Sequence, residues 1–401
     1  MDGTYEDAAL IDRIDAAAMQ AQVEQWVAVN SGTRNLPGLA TMAGLLADDF
    51  AALPGTIELV DPDPVETVDS DGKVRAIDHG RHLLLRVRPD APVRMLFTGH
   101  MDTVYGADHA FQTARYLPDG ALNGPGAADM KGGLSVMLAA LKAVEAAGIG
   151  DRFGYDVVVN SDEETGSFAS ARLIETMAAG KVAAFTYEPA LPDGTLAGAR
   201  GGTGNFSIVV SGRSAHAGRN PEEGRNAIVA AADIALRLNA AKGPRLAVNP
   251  ARIEGGGPNN VVPDHAVLRV NFRPHGSDEI ARARSQIDAA TAMVAAAHGV
   301  GVAVHGSFNR PPKPIDAGAA KLFALVHAVG RDLSIPIGWR DTGGVCDGNN
   351  IAAQGVPVID TMGVRGGAIH SAEEYMIVDS LAERAALSAV AISRIVAQGG
   401  L

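Results

Sequence analysis

A single cysteine, Cys346, stands in 401 residues, so no disulfide can form within the chain. That scarcity suits a reducing compartment. Basic side chains are in deficit too: 34 Lys and Arg against 46 Asp and Glu give a formal net charge of −12. An acidic chain is a poor match for nucleic acid or an anionic membrane surface. It is no bar to an acidic substrate, because a few local arginines can bind one. No apolar run is long enough to span a bilayer. The first 17 residues carry Asp2, Glu6, Asp7 and Asp12 and lack the basic start and apolar stretch of a secretory signal. The cytoplasm is the expected location, with the periplasm open if a leader has been removed. Phosphate-loop and His-Glu-x-x-His patterns are missing. Gly212-Arg213-Ser214-Ala215-His216 misses the nucleophile elbow, whose last position needs glycine.

What is present is apolar: 47% hydrophobic residues supply a large core, and the length suits two domains. Helical spacing predicts helices over 8–30, 38–52, 130–147 and 167–179. Strands are predicted near 56–60, 74–77, 82–88 and 93–98, at 157–159 and at 183–185. This alternation predicts an α/β fold with a mostly parallel central sheet flanked by helices. Gly194, Gly198, Gly201, Gly202 and Gly204 read as a hinge or linker. Beyond them, strands at 205–211, 246–254, 265–273 and 301–308 with helices at 222–240 and 277–298 predict a self-contained α+β unit. Arg310-Pro311-Pro312-Lys313-Pro314 marks its exit, and another apolar strand is predicted at 356–360. The expected organisation is one sheet-centred domain, 1–200 and 312–401, interrupted by an inserted domain, 201–311.

Five signals end apolar runs or open helices: His100-Met101-Asp102, Asp129, Glu163-Glu164, Glu188 and His370. In an α/β sheet, strand ends converge on the rim where ligands bind. Carboxylates and imidazoles gathered there need a compensating cation, and the mixture favours zinc. Glu163-Glu164 beside Asp162 would repel unless the two divide their labour, one binding metal while the other takes a proton from water. Asp102 is placed to orient the His100 imidazole. The remaining histidines (His79, His82, His109, His265, His275, His298, His305 and His327) read as ordinary surface or core residues, and Cys346 as a small buried one.

The motifs Gly99-His100-Met101-Asp102-Thr103-Val104, Gly124 to Gly133, Ser161 to Ser167, Gly212 to Gly218 and Gly343 to Gly348 occur in order. In them the chain resembles the co-catalytic dinuclear zinc peptidases and deacylases: glutamate carboxypeptidase of the carboxypeptidase G type, aminoacylase, acetylornithine deacetylase and bacterial di- and tripeptidases. The resemblance spans nearly the whole chain and is nearest to the glutamate carboxypeptidase branch. It implies a zinc-exopeptidase-like catalytic domain with an inserted lid and dimerisation domain. Two Zn2+ per subunit are implied, with Co2+ or Mn2+ as substitutes. His100, Asp129 and Glu188 would hold one ion and Asp129, Glu164 and His370 the other. Asp102 would orient His100, and Glu163 would be the general base. His216 would reach a partner subunit's site in a homodimer, and Asn260 and Arg273 would bind substrate, with Arg310 a candidate for an acidic side chain. The family also places a cis peptide after the bridging aspartate, here Asp129-Met130. Val345-Cys346 departs from the small or hydroxyl residues of many relatives. The implied reaction is amide hydrolysis on a small peptide, an acidic oligopeptide or an N-acyl amino acid, releasing a C-terminal residue, Glu or Asp first. An N-acyl-amino-acid deacylase is the alternative. A catalytically idle metal-binding ligand sensor is another, against which the intact Glu163 argues.

Overall fold

The computed structural model describes residues 3–148 and 150–401, with the side chains of residues 3–6 left aside. Its central sheet has six strands in the spatial order Thr56–Val60, His82–Val87, Phe153–Asn160, Val93–His100, Ala183–Thr186 and Val358–Ile359. The last four run parallel, and the first two are antiparallel additions. Successive side chains of a strand point to opposite faces, and here both faces are buried. Leu83, Leu85, Met95, Phe97, Val157, Val159 and Phe185 join the core formed with helices Gly132–Ala146 and Ser380–Gln398. Leu84, Leu96, Val158 and Ala184 join a smaller core on the other face, with Ile174, Met177 and Ile351. A parallel strand buried on both faces reads as a continuous apolar run, which is why these strands are legible in the sequence.

The parallel register sets up the rim. His100 lies opposite Asn160, and Thr98 opposite Thr186. The segments leaving these strands therefore start at one level, carrying Asp102, Glu163-Glu164 and Glu188.

A second sheet of four antiparallel strands has the order Leu246–Gly255, His265–Pro274, Thr203–Ser211, Gly301–Arg310. Helices Ala227–Ala240 and Ser277–His298 cover one face, where Phe206, Ile208, Leu268, Phe272, Ile234 and Ile287 form a separate core. On the other face, Val209 and Val267 meet Val68 from the hairpin Val65–Val68/Val74–Ile77.

Three expectations change. The single helix over 8–30 is two, Gly3–Ile11 and Ala16–Val27, because Asp15 leaves helical geometry and its carboxylate caps the second by accepting from Ala18 N at 3.0 Å. The glycine-rich stretch contains a strand, Leu196–Arg200, parallel to Trp339–Thr342. Glycine serves that pairing: a Cβ on Gly198 would lie 2.7 Å from the Asp341 carboxylate. Last, the helix expected from Met130 starts at Gly132, after an irregular turn over Ala127–Lys131 with a cis Asp129-Met130 peptide.

Candidate metal centre

Each expected ligand is delivered by a different element. His100 is the last residue of its strand and nearly fully buried. Glu163 and Glu164 sit on a single turn after Phe153–Asn160, and Glu188 follows Ala183–Thr186. Asp129 is brought to Glu188 by a close approach. A Cβ on Gly133 would lie 2.0 Å from the Tyr187 carbonyl oxygen, so only glycine lets this helix start so near the strand end. His370 comes from the loop before Tyr375–Met376, has φ of 64°, and its side chain is 53% exposed.

Asp129 is the hub. Its Oδ1 lies 3.1 Å from His100 Nε2, and its Oδ2 lies 3.3 Å from His370 Nε2. His100 Nε2 also stands 3.8 Å from Glu188 Oε2, and His370 Nε2 stands 3.2 Å from Glu164 Oε2. Each histidine is thus flanked by Asp129 and one further carboxylate, Glu188 beside His100 and Glu164 beside His370. Donor atoms of His100, Glu163 and Glu188 fall within 4.8 Å of one another, as do those of His100, Asp129 and Glu164.

This centre is short of positive charge. Burial pushes the Glu164 and Glu188 carboxyls up to about 8, and the negative Asp129 adds to it. Burial raises Glu163 as well, against the pull of Arg310. Burial would lower His100, but hydrogen bonds to Asp102, Asp129 and Glu188 hold it well above the ordinary imidazole range. Asp129 and Glu164 pull the His370 imidazole up to about 11. Extra protons thus stand where cations would neutralise the site. The Glu188 Oε1 oxygen is buried without a hydrogen-bond partner, a costly state that a cation would relieve. Imidazole and carboxylate donors with such an orphaned oxygen fit a divalent metal.

Asp102 does more than expected. The closest partner of His100 Nδ1 is the Asp102 main-chain carbonyl at 2.9 Å; the carboxylate is at 3.4 Å. That carboxylate accepts from Glu163 N at 3.1 Å, Glu164 N at 3.2 Å and Thr33 Oγ1 at 2.7 Å. One residue therefore fixes both the imidazole and the turn bearing the two glutamates.

Arg310 lines the same cavity as Arg273 and is also engaged within the chain. It is 5% exposed, and its Nη2 lies 2.8 Å from Glu163 Oε1 and 3.4 Å from Asp347 Oδ1, donating also to Ser167 Oγ at 2.7 Å. Its Nη2 thus braces Glu163, while its Nε has no hydrogen-bond partner among the described residues. Arg273 lines a cavity of 380 Å³ together with Glu163, Glu164, Asn205 and His370. A second cavity, 320 Å³, opens beside Asp129, Glu188 and Cys346. His216 and Asn260 line neither. They are exposed neighbours of each other, with Ala217 N donating to the Asn260 carbonyl at 2.9 Å. A larger cleft of 480 Å³, between the 65–77 hairpin and the second sheet, is lined by none of the expected ligands.

Glu374 escaped the sequence reading. It is 1% exposed and accepts from Gly126 N at 3.2 Å, Ala128 N and Asp129 N at 3.0 Å, and Tyr105 Oη at 2.8 Å. It holds the turn that presents Asp129. Replacing Glu374 by Ala strands three buried N–H groups, each costing about 1–3 kcal/mol. Such an orienting group also supports metal affinity by about 10–100-fold. Glu374→Ala is therefore expected to bind metal at least tenfold more weakly in calorimetric titration, and Glu374→Gln to lose less. Unchanged affinity in a folded Glu374→Ala protein would contradict the assignment.

The description "Peptidase family M20/M25/M40" belongs to a family model that matches residues 96–394. Carboxypeptidase G2 of Pseudomonas sp. (strain RS-16) is 27% identical over 372 residues, 92% of this chain and 86% of that protein. Two solved structures share the fold. A tripeptidase from Staphylococcus aureus has a TM-score of 0.73 at 23% identity, over 96% of this chain and 99% of its own. An M20 family metallo-carboxypeptidase from Sulfolobus solfataricus has 0.70 at 13% identity, over 93% and 98%. Among the described residues, no helix is long and apolar enough to cross a membrane.

Proposed function

This chain belongs to peptidase family M20/M25/M40 and is a metallopeptidase-type hydrolase, and from that premise we propose that it cleaves the amide bond of a C-terminal residue, Glu or Asp first, in short peptides or N-acyl amino acids. The observation that carries the reading is Asp129 between two histidines, its two oxygens facing His100 and His370, with Glu163 left over as a carboxylate. His100, Asp129 and Glu188 would hold one zinc ion and Asp129, Glu164 and His370 the other. Ions bound there polarise a carbonyl and acidify water, from a pKa of 15.7 towards about 7.

The rest is work for the chain's own side chains. Glu163 takes a proton from the attacking water as the water oxygen bonds to the scissile carbonyl carbon. When the C–N bond breaks, Glu163 returns that proton to the leaving amine. Burial raises its carboxyl, which favours its holding a proton between the two transfers. Arg310 keeps the carboxylate in place. Arg273, in the cavity on the Glu164 and His370 side, is the proposed receptor for the released residue's carboxylate. His216 and Asn260 are proposed to act across a homodimer formed by the insert at 201–311, since neither lines the two cavities at the metal centre of its own chain.

One preparation tests these points. Metal analysis should find two zinc ions per chain, and a panel of acylated Asp, Glu, Ala, Leu and Lys should be hydrolysed fastest for the acidic members. Equal rates throughout the panel would remove the acid preference. Faster release of acetate than of an amino-acid acyl group would favour the deacylase reading. Sedimentation as a monomer at working concentration would end the dimer proposal.

A further inference from the structure

The two cavities at the metal centre share Glu163, Glu164, Gly344, Val345 and His370. They meet where the scissile amide would lie, so each receives one side of it. With Arg273 on the leaving-residue side, the 320 Å³ cavity beside Glu188 receives the acyl side. Nothing about the acyl group follows from Arg273 or from the metal ligands.

The lining of that second cavity is specific. Its wall is apolar, made by Pro189, Leu191, Leu196, Val345 and Ile369. Two arginines also line it, and they differ. Arg200 is spent: it makes a two-pronged bond to buried Asp360, at 2.7 and 3.2 Å, and donates to the Gly344 carbonyl at 3.1 Å. Arg340 is exposed, on the strand Trp339–Thr342. Among the described residues, its guanidinium makes no hydrogen bond or salt bridge. Asp193 feels its charge without reaching it for an ion pair. A guanidinium is shaped to take a carboxylate in two parallel bonds. The other ionisable groups of the cavity wall are the metal-centre carboxylates, His370 and the Cys346 thiol, so Arg340 is the one uncommitted permanent cation there.

We propose that Arg340 determines specificity on the acyl side, selecting acyl groups that carry a carboxylate at the end of a short apolar stem: a dicarboxylic-acid monoamide, or a penultimate Asp or Glu residue. The stem packs on Leu191, Leu196 and Ile369, and the terminal carboxylate pairs with Arg340 at the solvent edge. This rests on the amide-hydrolase reading above and names one half of its substrate.

The test holds the leaving residue constant and varies the acyl group. N-succinyl, N-glutaryl, N-butanoyl and N-pentanoyl derivatives of the residue released fastest are compared on the zinc-loaded protein. The wild type is expected to prefer the succinyl or glutaryl member over its neutral counterpart by tenfold or more in kcat/KM, chiefly through KM. That ratio is expected to fall about tenfold in Arg340→Ala, to be partly kept in Arg340→Lys, and to invert in Arg340→Glu. It should also shrink as salt rises, because the pair is at the surface. Intact hydrolysis without an acidic preference, or a preference that survives Arg340→Glu, would overturn this proposal and leave the amide-hydrolase reading standing. Failure of the zinc-loaded wild type to hydrolyse any member would overturn both.

Discussion

Glu163→Gln is expected to lower kcat by about 10²–10⁴-fold, the usual contribution of a positioned acid–base group, while metal content stays at the wild-type value. The substitution is nearly isosteric. It keeps an oxygen that can accept from Arg310 Nη2, now 2.8 Å from Glu163 Oε1, and Arg310 retains Ser167 Oγ and Asp347. The main-chain N–H of residue 163 still donates to Asp102. What disappears is the capacity to take a proton from water and return it to the amine. Metal content is read by elemental analysis and kcat by product release under saturating substrate. Turnover within threefold of the wild type would remove Glu163 from the role of base. Loss of metal together with turnover would make it a ligand instead, a role its closeness to His100 and Glu188 also permits.

The second large effect concerns metal and pH together. Without metal, Glu164 and Glu188 have carboxyls raised to about 8 in the folded chain, chiefly by burial, against an ordinary value of 4.5. Asp162 is raised to about 7, again chiefly by burial. A raised folded-state value means that the folded protein holds protons the unfolded chain releases. The associated stability is complete below about pH 4 and is lost as pH rises through 7 to 8. His370, pulled up to about 11, has the same sign over a later window. Asp129 is shifted down, and its contribution stays constant above about pH 5. The chelated protein should therefore lose on the order of a few kcal/mol between pH 5 and pH 8. Zinc should reverse the trend, since cation binding requires the same groups deprotonated. Melting curves in chelator and in excess zinc, from pH 5 to pH 9, should diverge as pH rises. A metal-free Tm indifferent to pH, or a zinc increment that shrinks with rising pH, would show that the cluster is not electrostatically short of cations.

How much was legible beforehand follows a physical line. Strands of the central sheet are buried on both faces, so they appear as apolar runs, and the polar residues just beyond them are the ones that reach the rim. His100, Glu163, Glu164 and Glu188 were found in this way, and Asp129 by the glycines that open its helix. Glu374 was not, because nothing in its own surroundings marks it. Its importance comes from four donors, three of them on a turn about 245 residues earlier. The same holds for Arg310. As a sequence letter it is a cation available to substrate, and only the structure shows that it also braces Glu163 and Asp347.

Composition and pattern alone determined the α/β class and the second sheet with its two helices, and they pointed to the carboxylates and imidazoles beyond the strand ends as candidate ligands. These are local quantities, set by hydrophobic period and by the chemistry of each residue. Tertiary structure decided which oxygen of Asp129 faces which histidine, that Asp102 braces the Glu163 turn as well as His100, and which arginine remains free at the cavity wall. Those depend on distance and burial between segments far apart in the chain, and charges change meaning once a partner is within about 3 Å and water is excluded.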